Sequence, residues 1–161
     1  VLTIFNSIPK IALAPLFLLW FGYGIVPNVA IAMLIAFFPI VINTATGLSM
    51  VDDELLDLVR YLNASKLQIF IKIRIPNSLP YIFSGLKIST TLCVVGAIVG
   101  EFVASTKGLG FLIKDSQALI DTPTMFAALI LISILGLSLF AFISFLERTV
   151  MPWQHVTKGS E

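Results

Sequence analysis

Residues 122–146 read TPTMFAALILISILGLSLFAFISFL, a run with no Asp, Glu, Lys or Arg. A helix that crosses a hydrocarbon core about 30 Å thick needs about 20 mostly apolar residues, and this run supplies them. Residues 11–51 are equally free of acid and base. The 161-residue chain is 58% hydrophobic and 12% charged, with mean hydropathy +1.01. Soluble domains are about a quarter charged. A core helix of a large soluble protein is the alternative for any one run, but so few charges cannot coat a wetted surface. The composition therefore predicts an all-α membrane protein.

Four segments qualify as spans: residues 4–23, 29–50, 81–105 and 125–146. The first carries Pro9, Lys10 and Pro15, and the second carries Pro39. Proline is tolerated there because neighbouring helices and polar side chains satisfy the freed carbonyls. The link GYGIVPN, residues 22–28, makes the first two an antiparallel hairpin. Residues 1–161 read as one transmembrane domain. The chain starts at Val1, without Met and already in an apolar segment, so it is expected to be a fragment lacking N-terminal residues. A net charge of +1 leaves no basic surface for nucleic acid. The single cysteine, Cys93, rules out an internal disulfide.

With four spans, both ends share one side with the 52–80 loop. That side holds Lys10, Arg60, Lys66, Lys72, Arg74, Lys87, Arg148 and Lys158, against Lys107 and Lys114 on the other. The excess of basic residues predicts a cytoplasmic loop and C-terminal tail, with residues 107–122 outside.

Nine of the nineteen charges fall within residues 52–87. Asp52 or Asp53 is placed to cap a helix, and Glu54 and Asp57 suit its positive end. Leu55, Leu58, Val59 and Leu62 recur at i, i+3, i+4 and i+7, giving one apolar face. Asp57 and Arg60 are close enough to pair. Asn63 tolerates the left-handed conformation that ends many helices. Ser65 and Gln68 form a capping box that starts a second helix, which Pro76 and Pro80 are expected to stop. The competing reading is a strand over residues 69–75, IFIKIRI, where apolar and charged residues alternate from Ile71 on. Leu67, Ile69, Phe70 and Ile73 remain to be covered, either by the spanning helices or by another protein.

The spacing Asp57-Leu58-Val59, three residues, Asn63, nine residues, Ile73-x-Ile75-Pro76 resembles the signature E-A-A-x3-G-x9-I-x-L-P. That signature marks the membrane subunits of binding-protein-dependent ABC importers. The strings ASKLQIFIKIRIPNSLPYIFSGLKIS, GEFVASTKGLGFLI and IPKIALAPLFLLWFGYG are similar to the branch handling nitrate, sulfonate, taurine and pyrimidine-type nutrients. Asp57, Leu58, Val59 and Asn63 replace Glu, the two alanines and Gly of the signature. The resemblance implies a type I permease-like helical bundle whose cytoplasmic helix-turn-helix, residues 52–78, fits a cleft in an ABC ATPase. It further implies a second permease copy as a homodimer, a periplasmic or lipid-anchored substrate-binding protein, and a bacterial inner-membrane location. On this reading Leu62, Leu67 and Phe70 anchor the loop, Asp57, Arg60 and Lys66 form its rim, and Ala64, Ser65 and Pro76 shape it.

Asn43, Thr44 and Thr46, with Ser89, Thr90 and Thr91, are candidates to face a pathway; the alternative is hydrogen bonding between or within helices. Glu101 is a candidate because a carboxylate in a span is rarely idle, the alternative being a pair with Lys107. Gly108 and Gly110 suit a tight turn after that span. A membrane enzyme is not supported: His155 is the sole histidine, Cys93 stands alone, and neither HExxH nor CxxC occurs. No metal or cofactor is expected. An ion-coupled secondary transporter or a structural polytopic protein is the alternative function.

Overall fold

The computed structural model describes residues 9–152, which are almost entirely helical. A 3-10 turn, Lys10–Leu13, leads into α1, Ala14–Phe21. Then come α2, Ile25–Ser49, and α3, Asp53–Tyr61. The short α4, Lys66–Ile69, continues through a π-helical segment, Phe70–Arg74, into α5, Ile75–Ala104. The short α6, Leu109–Ala118, and the long α7, Thr122–Val150, complete the chain.

Among the described residues, three helices are long and apolar enough to cross a membrane: Ile25–Ser49, the continuous run Lys66–Ala104, and Thr122–Val150. The first of the four expected spans starts in residues 4–8, outside the described residues. Its described part is shorter than a span, because Pro15 opens a new helix at α1 and Gly22, with φ of 70°, closes it. The hairpin link is also shorter than expected. Gly24 ends it, with φ of 141°, and Pro27 and Asn28 already lie in the first turns of α2.

Pro76 and Pro80 do not stop a helix. Proline removes one donor and crowds the carbonyl four residues back. Here Pro76 follows a wide turn in which the Ile75 N–H donates to the Phe70 carbonyl five residues earlier, and Pro80 sits inside α5. The run from Lys66 to Ala104 is thus one rod of 39 residues. The same observation disposes of the strand reading for residues 69–75.

The bundle is built on an antiparallel seam between α2 and α5. In lipid, close backbone approach and hydrogen bonds hold helices together where the hydrophobic effect cannot. Gly96 lies against Ala32, Gly100 against Asn28, Gly85 against Asn43 and Gly47 against Tyr81; a Cβ at any of the four would come within 3 Å of its neighbour. Ser89 donates across the seam to the Ala36 carbonyl at 2.6 Å. Near one end, Ala14, Ile31 and Ile35 form a buried cluster backed by Phe17, Leu92, Val99 and Val103. α7 lies against α5 and α6 and buries only Ala128, but Lys87 and Glu147 tie it to α5 by an ion pair.

The sequence reading had no helix between the third and fourth spans; α6 occupies that link. Asp121 then caps α7, accepting from the Thr124 amide at 3.3 Å and hydroxyl at 2.6 Å. The Thr124 hydroxyl, followed by its amide, holds the Asp121 carboxyl below the usual value of 3.8. The cap therefore acts above that ordinary value and is lost as pH falls through the lowered one.

Candidate functional site

The charged loop folds as a V, α3 joined to α4 through a turn, with local caps on both helices. Asp52 caps α3 by accepting from the Glu54 amide at 3.1 Å. At the far end the chain reverses in a Schellman motif: Asn63 adopts φ of 59°, its N–H donates to the Arg60 carbonyl, and the Ala64 N–H donates to Val59. Ser65 and Gln68 close the reciprocal capping box that starts α4, at 3.2 and 2.8 Å. Arg60 donates to Asp57 at 3.0 Å on the outer surface.

Val51, Leu56 and Ile69 form the buried hinge of the V, with Val59, Ala64 and Ile73 against them. The expected apolar face of α3 lies on the other side of the helix and points outward. Of Leu55, Leu58, Val59 and Leu62, only Val59 turns inward, and Leu56 is the residue that locks α3 down. Leu55 and Leu58 stay exposed; Leu62 and Leu67 are 69% and 67% exposed, and Phe70 is 43% exposed. α3 carries apolar side chains on two faces, so the outer one was left without an internal partner. A cleft of about 580 Å³ opens beside the turn, lined by Arg60, Asn63, Ala64, Lys66, Ile69, Phe70 and Arg74.

The pathway candidates bond to backbone carbonyls. Asn43 donates to Pro39 at 2.8 Å and Thr46 to Ile42 at 2.9 Å. Ser89 bridges the α2–α5 seam, while Thr90 and Thr91 donate to Leu86 and Lys87 of their own helix. Asn43 and Ser89 are thus brought to one seam, in packing roles.

Glu101 is not paired with Lys107. Its Oε2 accepts the Gly110 amide at 2.5 Å, so a carboxylate of α5 caps α6. A Cβ at Gly108 would overlap that carboxylate, and Gly108 holds φ of 120°. Next to it a second cavity of about 440 Å³ is lined by Tyr23, Asn28, Glu101, Lys107 and Gly108 among others. His155 and Lys158 lie outside the described residues.

Residues 1–152 match the family described as the inner membrane component of binding-protein-dependent transport systems. The formylaminopyrimidine transport permease protein ThiX of Halalkalibacterium halodurans is 40% identical over 149 residues, covering 92% of this chain and 60% of that protein. The riboflavin transport system permease protein RibX of Chloroflexus aurantiacus is 38% identical over 154 residues, covering 96% and 58%. The putative aliphatic sulfonates transport permease protein SsuC of Bacillus subtilis is 33% identical over 158 residues, covering 98% and 57%. The chain spans about three fifths of the length of these relatives.

Proposed function

Because the chain belongs to the family of binding-protein-dependent transport inner membrane components, we propose that it lines half of an importer's pathway and passes the ATPase stroke to it. The V of α3 and α4 is the part that docks on a cytoplasmic ABC ATPase. One observation carries this reading: a loop stiffened by three local caps presents Leu55, Leu58, Leu62, Leu67 and Phe70 to water. A solvated connector gains nothing from exposed leucines held on a capped frame; a docking surface needs both. Since α4 runs without a break into α5, a push on the V moves a spanning helix, which suits alternating access.

The same family membership supports the rest of the proposed assembly. A second permease copy completes the pathway, and a periplasmic or lipid-anchored binding protein delivers the substrate to the end opposite the V. The inner-membrane orientation puts the V and the C-terminal end of α7 in the cytoplasm. The cargo is a small polar nutrient of the kind that names ThiX, RibX and SsuC. The ion-coupled alternative is weakened because Glu101 is occupied as a helix cap.

The test is Leu62→Asp combined with Leu67→Asp in the full-length permease. Co-purification with the cognate ATPase should fall at least about tenfold while membrane insertion persists, since apolar anchors dominate such interfaces. Normal co-purification and ATP-driven uptake in that variant would overturn the docking reading.

A further inference from the structure

We infer that the cleft beside the Asn63 turn receives an acidic cluster of the partner ATPase, one whose carboxylates flank an apolar side chain. This rests on the docking reading above and adds the partner's chemistry to it.

The cleft is lined by three cations, Arg60, Lys66 and Arg74, and by no carboxylate. Among the described residues Asp57 neutralises Arg60, and the other ion pair is Lys87–Glu147. Lys66 and Arg74 therefore face the cleft with no acid among the described residues to meet. Between the cations lie Ala64, Ile69 and Phe70. Guanidinium and ammonium groups around an apolar patch complement carboxylates set around an apolar knob.

An anionic lipid headgroup offers the same charge, but the geometry argues against it. Lys87 pairs with Glu147, the residue at which the uncharged run of α7, residues 122–146, ends, and that level is taken as the bilayer edge. Arg74 lies thirteen residues earlier on the same continuous helical rod. At about 1.5 Å per residue it stands about 20 Å beyond that edge. The headgroup layer is only about 5–8 Å deep on each side, and tilting the rod by about 20° shortens the reach by little. The cleft thus lies beyond the lipid, where a soluble partner binds.

The experiment uses the full-length permease in nanodiscs of neutral lipid, titrated with the purified cognate ATPase subunit. Lys66→Glu with Arg74→Glu should weaken binding at least about tenfold, as charge reversal at a complementary contact does. The wild type should lose affinity as salt rises, and the reversed variant should be nearly insensitive to it. Lys66→Arg with Arg74→Lys keeps the charge and should bind within about threefold of wild type. Unchanged affinity in the reversed variant, alongside loss of binding in Leu62→Asp, would remove the acidic partner and leave the docking reading standing. Wild-type binding by Leu62→Asp as well would remove both. If anionic lipid raises the wild-type affinity and the reversed variant loses that response, the cleft belongs to lipid headgroups and the inference falls.

Discussion

Asn63 holds φ of 59° at the apex of the V, and two backbone hydrogen bonds fold over it, from Asn63 to Arg60 and from Ala64 to Val59. Its contribution is conformational, because Asn and Gly reach the left-handed region at low cost while a β-branched residue does not. Asn63→Gly should keep ATP-dependent uptake. Asn63→Val should cost about 1 kcal/mol or more in strain and splay Leu62 from Leu67, so that the ATPase co-purifies poorly or hydrolyses ATP without transport. Equal coupling ratios, measured as uptake per ATP hydrolysed in proteoliposomes, would show that the apex does not need this conformation. Asp52, Asp57–Arg60, Asn63 and Ser65–Gln68 were all legible in the sequence, because each cap or pair closes within five residues. The cap made by Glu101 was not: its partner, the Gly110 amide, belongs to a helix that does not begin until Leu109, beyond the reach of local pattern.

At the scale of the element, local pattern fails where a helix has two apolar faces or an unusual turn. The i, i+3, i+4, i+7 series found an apolar face of α3, but Leu56, outside that series, is the buried one. From Ile71 to Ile75 the alternation of isoleucine with cations imitates a strand, while the chain takes a π turn that carries it past Pro76. Three of the four expected spans were legible from hydropathy alone, but the α2–α5 seam was not, because it is set by which glycines meet which backbone. Gly96 and Gly136 separate these effects. A side chain at Gly96 meets Ala32 backbone at 2.8 Å, whereas Gly136 has nothing within 4 Å. Gly96→Val should therefore destabilise the bundle by about 1–3 kcal/mol through overpacking, and Gly136→Ala should be neutral or slightly stabilising. A fluorescence thermal-unfolding assay in detergent compares the two; similar melting temperatures would mean that α2 and α5 do not meet along this glycine row.

At the scale of the molecule, orientation rests on parity and charge together. α2, α5 and α7 are the three membrane-capable helices among the described residues, so the V and the end of α7 at Arg148 fall on one side and residues 105–121 on the other. The V side carries Arg60, Lys66, Lys72, Arg74 and Arg148, with Lys87 paired at the helix edge, while the opposite link carries Lys107 and Lys114. Basic residues are retained on the cytoplasmic side, so this distribution predicts that the V faces the cytoplasm and α6 the outside. Free, exposed Cys93 must first be removed. In a Cys93→Ala background, an impermeant maleimide should label Gln117→Cys, on the exposed side of α6, in intact spheroplasts. Asp53→Cys should label only after permeabilisation. The reverse pattern would put the V on the outer face, out of reach of any cytoplasmic ATPase, and the exposed leucines of α3 and α4 would then need a different partner altogether.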